Sequence, residues 1–201
     1  MGDMPDDLLS KGDAEALLEP HLVALRECVE RGWADWHQAV HDAPFLATSR
    51  ATSRANVVYD RISQRAEEYF DAQGVPTSRR RGFLTVALGD GRLILRFKKF
   101  RNGALSTAGI ATQQRLAIEY QQPAFDGLQQ THAVVGYLPD DIGIGLEVVA
   151  VACTYASKVI WDIDLFGEEP LSAVPARVDQ PQAPTVRSAR VEPAREISNE
   201  E

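Results

Sequence analysis

The stretch Phe83-Leu-Thr-Val-Ala-Leu-Gly-Asp-Gly-Arg-Leu-Ile-Leu-Arg-Phe-Lys-Lys-Phe100 decides the fold prediction. Two β-prone runs flank a Gly-Asp-Gly sequence at positions 89–91, which is a strong hairpin-turn signal. In the second run, Leu93, Leu95 and Phe97 alternate with other residues, and this period of two is typical of a half-buried strand. The stretch therefore predicts an antiparallel β-hairpin with one face in the core.

The sequence before this hairpin has a helical period. Apolar residues recur every three or four positions over residues 13–41 and again from about residue 54 to residue 70. Pro20 divides the first region, and Thr52 or Ser53 is the expected N-cap of the second. We therefore expect helices before the hairpin.

Three more β-prone runs follow the hairpin, at His132–Leu138, Leu146–Thr154 and Lys158–Leu165. Because the helices come first and the strands follow, the order favours an α+β protein rather than a doubly wound parallel sheet. The predicted fold consists of N-terminal helices packed on a mainly antiparallel sheet of about five strands.

The ends of the chain differ in composition from its middle. We expect a flexible acidic tail over residues 1–12, a single α+β domain over 13–168 and a disordered tail over 169–201, where Pro, Arg, Glu, Ser and Gln dominate. The first residues lack the basic and apolar regions of a secretory signal, and no apolar run is long enough to span a bilayer. The sequence therefore predicts a cytoplasmic protein.

Positive charge is concentrated in the middle of an acidic chain. The formal net charge is -8, yet residues 50–101 contain twelve Lys or Arg and only five acidic residues. Residues 1–49 contain three Lys or Arg and ten acids, and residues 102–201 contain six and fourteen. The overall charge opposes a general attraction to phosphate or to an anionic membrane, so any anionic partner would have to meet the central segment.

The cations of the central segment fall on two predicted surfaces. One is the face of the second hairpin strand that points away from the core, where Phe100 could also stack on a base. The other is one side of the preceding helix, where three arginines are spaced by seven and four residues. Two glutamines that open a later short helix offer amides for recognition. The predicted binding residues are Arg54, Arg61, Arg65, Arg92, Arg96, Lys98, Lys99, Arg101, Gln113 and Gln114.

These cations allow more than one interpretation. They could form a solvated face, or they could be neutralised by acidic residues of the same chain. They could also contact nucleic acid or an acidic protein partner. The residues alone leave these interpretations open.

A nuclease is the alternative from the enzyme class. Asp60, Asp90 and Lys98 are the candidate catalytic residues, by analogy with PD-(D/E)xK nucleases, in which carboxylates hold a divalent ion and a lysine assists the attacking water. The position expected to hold the second acid is Arg96, however, and an arginine cannot ligate a metal. The match to this nuclease pattern is therefore incomplete.

Metal, thiol and cofactor signals are weak. His37 and His41 lie four residues apart on a helix, but no further ligand cluster accompanies them. Cys28 and Cys153 form no C-x-x-C pair and are expected to be buried, reduced thiols. Because phosphate-binding glycine loops are also absent, the sequence predicts no metal and no cofactor.

Several stretches together resemble a known family. They are Arg54-Ala-Asn-Val-Val-Tyr-Asp60, Gly91-Arg-Leu-Ile-Leu-Arg-Phe-Lys-Lys99, Thr112-Gln-Gln114 and Ile160-Trp-Asp-Ile-Asp-Leu165. Over about residues 20–166 the chain resembles uncharacterised bacterial proteins encoded beside regulators that join an XRE-type helix-turn-helix to an ImmA/IrrE-type metallopeptidase. The resemblance implies a two-gene partnership of the toxin–antitoxin or prophage-immunity kind, with this chain as the partner rather than the protease.

The functional prediction combines the charge pattern with this resemblance. We expect a non-enzymatic binding module that partners a DNA-binding regulator and uses a basic hairpin surface. The expected partner is an acidic protein, such as an XRE/ImmA-type regulator, or nucleic acid. The alternative is the nucleic-acid-cleaving effector.

Overall fold

The computed structural model describes residues 8–101, 103–107, 120–121 and 130–167. The predicted tail at 169–201, the start of the short helix near residue 112, and the predicted binding residues Gln113 and Gln114 lie outside these ranges. Within the described ranges, every helix is too short or too polar to cross a membrane.

Three α-helices come first, as the period of 3.6 predicts. They are α1 (Lys11–Leu18), α2 (Leu22–Asp42) and α3 (Ala51–Ala72). A short 3-10 turn at Glu19–His21 separates α1 from α2, because Pro20 interrupts the helix. A second 3-10 turn, Pro44–Thr48, leads into α3.

The described strands form one sheet whose spatial order follows the chain. Every neighbouring pair is antiparallel except β3 and β4, which are parallel. The sheet is therefore two antiparallel three-stranded meanders joined along that parallel pair. The strands are β1 (Thr77–Arg80), β2 (Phe83–Leu88), β3 (Leu93–Lys99), β4 (Thr131–Pro139), β5 (Leu146–Tyr155) and β6 (Lys158–Asp164).

The α+β prediction is confirmed, with six strands in the described sheet instead of about five. The additional strand is β1, a short edge strand that is mostly exposed and rich in arginine. The predicted hairpin joins β2 to β3, and Asp90 in its turn has a φ of 56° between two glycines that also have positive φ. The Gly-Asp-Gly signal therefore located this turn correctly.

One face of the sheet packs against the three helices. The predicted core residues Leu93, Leu95 and Phe97 are buried on this face, with alternate residues of the neighbouring strands. The helices contribute the other side of the same core, including Trp33 of α2 and Ile62 of α3. This packing sets α3 against β1, β2 and β3, and the candidate site lies where the start of α3 faces the ends of β3 and β4.

The described chain is anchored before residue 13, where the domain was predicted to begin. The Ser10 side chain caps α1 by accepting a hydrogen bond from the Asp13 N–H. The Leu9 N–H donates to Thr131 Oγ1, and the Leu9 carbonyl accepts from Trp161 Nε1, both at 2.9 Å. Residues 9–12 are therefore part of the folded region rather than of a flexible tail.

Candidate functional site

A cleft of about 850 Å³ opens where the first turns of α3 meet the ends of β3 and β4. Four of the predicted binding residues line it: Arg54 from α3, and Lys98, Lys99 and Arg101 from the end of β3 and just after it. The turn after β4 forms the facing wall. We call this site the basic cleft. Arg54 is more than forty residues from the other three cations in sequence, and the fold brings the four together.

Arg54 is held in place by Trp33, which is itself fixed by the turn after β4. Its guanidinium lies over the ring of Trp33 in α2, 5.9 Å from the ring centroid, which is the geometry of a cation–π contact. The Trp33 indole N–H donates at 2.9 Å to the carbonyl of Ile144 in the turn after β4. Arg54 therefore reaches the cleft as a half-buried, preorganised charge.

Three of the four cations that line the basic cleft have no ion-pair partner in the described part of the chain. Among the described residues, Arg54, Lys99 and Arg101 form no ion pair. Burial lowers the pKa of Lys99, and the nearby positive charge of Arg54 lowers it further. Arg54 and Lys99 are thus partly desolvated and close enough to repel, an arrangement that an anion would relieve.

The first turn of α3 adds to the positive character of the cleft. Thr52 and Ser53, the predicted N-caps, lie inside the helix, because α3 begins at Ala51 with Arg50 as its N-cap residue. No side chain caps this end. Ala51 and Thr52 line the cleft, so the positive end of the helix dipole faces the same space as the cations.

Two carboxylates lie on the opposite wall, and one of them accepts hydrogen bonds from backbone N–H groups. Asp140 accepts hydrogen bonds from the N–H groups of Ile144 at 2.9 Å and Gly145 at 2.7 Å. Burial alone would raise the pKa of Asp140, but backbone hydrogen bonds from residues 142–145 lower it. Its carboxylate therefore stabilises the turn after β4. Asp141 is exposed on the same wall.

The floor of the basic cleft is apolar. Ile62, Phe97 and Tyr137 are buried there, while Phe83 at the lip is 47% exposed. Tyr59 supports this lip, since its ring packs edge-on against Phe83 with 5.9 Å between ring centroids. A charged rim over an apolar floor can bind a ligand that carries both kinds of group.

Tyr59 also fixes the backbone beneath the lip. Its hydroxyl donates to the Gly82 carbonyl at 3.1 Å and accepts from the Leu84 N–H at 2.8 Å. Burial raises the pKa of Tyr59, so the hydroxyl stays neutral at physiological pH. The contributions of Tyr59, Phe83 and Trp33 to the site were not predicted, because no sequence signal relates residues so far apart.

The predicted cation row on β3 does not form one exposed field. Arg92 is exposed at the far end of the strand, and its Nε donates to the Gly89 carbonyl at 3.3 Å. Arg96 is half-buried, and burial lowers its pKa. Phe100 is 1% exposed and lies against Gly136, so its ring is not available to stack on a base.

The arginines of α3 also separate into different roles. Arg65 forms an ion pair with Asp35 of α2 at 2.6 Å, so it joins two helices. Arg61 is exposed and makes only a long contact, 3.5 Å, with Gln64. Arg54 is thus the one residue of this predicted stripe that lines the basic cleft.

The candidate nuclease residues are not brought together. Asp90 lies in the turn before β3 and Lys98 at the other end of that strand, so about 26 Å separate them at a rise of roughly 3.3 Å per residue. Asp60 is exposed on α3. Across the described ranges, no three His, Cys, Asp or Glu side chains lie close enough together to hold a metal ion.

The two histidines considered as a metal pair have other neighbours. The His37 ring packs edge-on against Trp33 with centroids 4.9 Å apart. His41 is exposed and lies 3.2 Å from the Asp42 carboxylate. Cys28 and Cys153 are both buried free thiols, and burial raises their pKa to about 11 and about 12, respectively.

Comparison of the chain with protein-family models, with curated proteins and with solved structures finds no match. The resemblance to proteins encoded beside XRE/ImmA-type regulators therefore remains a hypothesis, and the geometry of the basic cleft is what supports a function.

Proposed function

We propose that this chain is a non-enzymatic binding module that holds an acidic segment of a protein partner in its basic cleft. The observation that carries the proposal is the convergence of Arg54, Lys99 and Arg101 without an ion-pair partner among the described residues. Arg54 and Lys99 are like charges that are partly desolvated, which destabilises the free protein locally, so a matching anion gains more there than at a solvated surface.

The shape of the site favours a protein segment over nucleic acid. Nucleic-acid binding relies on many cations that follow successive phosphates, and here several of the described cations outside the cleft are paired or half-buried. Arg65 and Arg79 are engaged with Asp35 and Glu67, and Arg96 is half-buried. A single extended peptide can enter the space between α3 and the turn after β4, and the chain's net charge of -8 repels a polyanion elsewhere.

The proposed setting follows from the resemblance. A cytoplasmic regulator with a helix-turn-helix and an ImmA/IrrE-type domain is the partner that it suggests. Nucleic-acid cleavage is the weaker alternative, because Asp60, Asp90 and Lys98 do not converge and metal-assisted hydrolysis needs carboxylates at one point.

A charge-reversal experiment tests this function. The probes are a fluorescent acidic peptide rich in Asp and Glu and a single-stranded DNA of equal formal charge. Affinity is measured by anisotropy at two salt concentrations. We expect the peptide to bind better than the DNA, and the double variant Arg54→Glu with Lys99→Glu to weaken peptide binding by about tenfold or more.

The matched control reverses two exposed cations outside the cleft, Arg61→Glu with Arg92→Glu. This variant has the same net charge and should retain most of the affinity. Equal losses of peptide affinity in the two variants would mean that binding depends only on the overall charge, and the proposed site would then be wrong. Tighter binding of the DNA would favour the nucleic-acid interpretation.

A further inference from the structure

Exposed apolar side chains flank the cations of the basic cleft. Phe83 is 47% exposed at one lip, and Ile142, in the turn after β4, is 77% exposed at the other. Large apolar side chains in water are unremarkable when single, but two of them facing one cleft with an apolar floor are typical of an interaction site.

Hydrogen bonds from side chains hold the backbone of both lips. Tyr59 fixes the backbone on both sides of Phe83 through its hydroxyl, and its ring contacts the Phe83 ring. Asp140 fixes the turn that carries Ile142. The two lips are therefore rigid, so an entering side chain would not first have to order them.

We infer that the segment bound by the basic cleft carries an aromatic or large aliphatic side chain between acidic residues, and that this side chain packs against Phe83 and Ile142. This inference rests on the proposed function and adds the chemistry of the partner. Charge complementarity to Arg54 and Lys99 supplies the acidic part, and the apolar floor and lips supply the anchor. An acidic segment without the anchor would leave these apolar surfaces in water.

Three peptides test separately the need for acidic residues and the need for an apolar anchor. The first is a short acidic peptide with a central Phe, the second replaces that Phe by Ser, and the third keeps Phe but replaces the acids by Ser and Asn. We expect the first to bind best. Loss of the central Phe should weaken binding by about tenfold or more, because the ring would no longer be buried.

A double-mutant cycle identifies the contact. In the variant Phe83→Ser, the affinities of the Phe and Ser peptides should differ by about twofold or less, since the protein surface that contacts the peptide ring has been removed. Ile142→Ser should reduce the difference in the same direction, and its high exposure makes it safe for folding. Phe45→Ser is the control, because Phe45 is 74% exposed and does not line the cleft.

The outcomes distinguish this inference from the proposed function. If the Phe and Ser peptides bind equally and Arg54→Glu with Lys99→Glu still abolishes binding, the acidic function stands and the anchor is refuted. If Phe45→Ser lowers the difference as much as Phe83→Ser, the anchor lies elsewhere. If no acidic peptide binds, both proposals fail.

Discussion

Gln121 joins the ends of β4 and β5 through its side-chain amide. The nitrogen donates to the carbonyls of His132 and Thr154, both at 2.9 Å, and the oxygen accepts from the His132 N–H at 2.6 Å. The side chain is buried, so it satisfies backbone groups that are shielded from water. The sequence does not predict this role, because hydrogen bonding to strands so distant along the chain leaves no local pattern.

Replacement of Gln121 by Leu should destabilise the fold. The apolar side chain would leave one N–H and two carbonyl groups without their present partner, and we expect a loss of about 2–4 kcal/mol. Equilibrium unfolding in urea measures it. Gln38→Leu is the control, since Gln38 is exposed and bonds only to Asp42, and it should change stability by no more than about 0.5 kcal/mol. Similar losses in both variants would contradict the role assigned to Gln121.

At the scale of elements, the pairing of α2 with α3 depends on a glycine. A Cβ built at Gly32 would lie 2.5 Å from Ile62 Cγ1 and 3.0 Å from the Ile62 backbone nitrogen. The two helices thus approach more closely than any side chain at this position allows. Because α3 carries Arg54, this approach also sets the position of one wall of the basic cleft.

Gly32→Ala should therefore destabilise the protein although alanine favours helices. A contact this short should cost about 2–3 kcal/mol, and the gain in helix propensity of about 1 kcal/mol offsets only part of it. Gly12→Ala in α1 is the control, since a Cβ there meets nothing within 4 Å. Thermal unfolding should show a lower Tm for Gly32→Ala and an equal or higher Tm for Gly12→Ala. A raised Tm in both variants would contradict the close approach.

Elements with a strong apolar period were predictable, and elements held by polar contacts were not. The helices and the β2–β3 hairpin followed from spacing and turn residues. The edge strand β1 did not, because its arginines show no alternation of apolar residues. It is held partly by α3, through the ion pair of Arg79 with Glu67 at 2.8 Å and the hydrogen bond from Thr77 to Asp71 at 2.8 Å.

The candidate site was predictable only in part for the same reason. Charge counting identified the segment that contains Arg54, Lys98, Lys99 and Arg101, and these residues do meet. It could not separate them from Arg65, whose partner Asp35 is thirty residues away in sequence. Sequence spacing indicates which face a side chain occupies, but it does not reveal which carboxylate lies opposite.

At the scale of the whole molecule, an acidic protein displays a local positive cleft. Because its cations include one lysine of lowered pKa, ligand affinity should depend on pH. A bound carboxylate favours the protonated form of Lys99, so affinity is highest while Lys99 is charged and falls as the pH rises through its lowered pKa. The fall should begin below the ordinary lysine value of 10.5.

Peptide titrations between roughly pH 7 and pH 10 measure this dependence. Burial raises the pKa of Tyr137, the tyrosine in the floor, so its ionisation does not account for a decline. In the variant Lys99→Arg the alkaline decline should be reduced, because arginine keeps its charge. A decline of the same size and midpoint in Lys99→Arg would assign it to another group.

The parallel pairing of β3 with β4 joins the two halves of the domain that together form the basic cleft. Arg54, Lys99 and Phe83 belong to the first half of the domain, and Tyr137, Asp140 and Ile142 belong to the second. Neither meander alone contains a complete cleft. A partner that occupies the cleft therefore contacts both meanders. By mass action it shifts the unfolding equilibrium toward the folded domain.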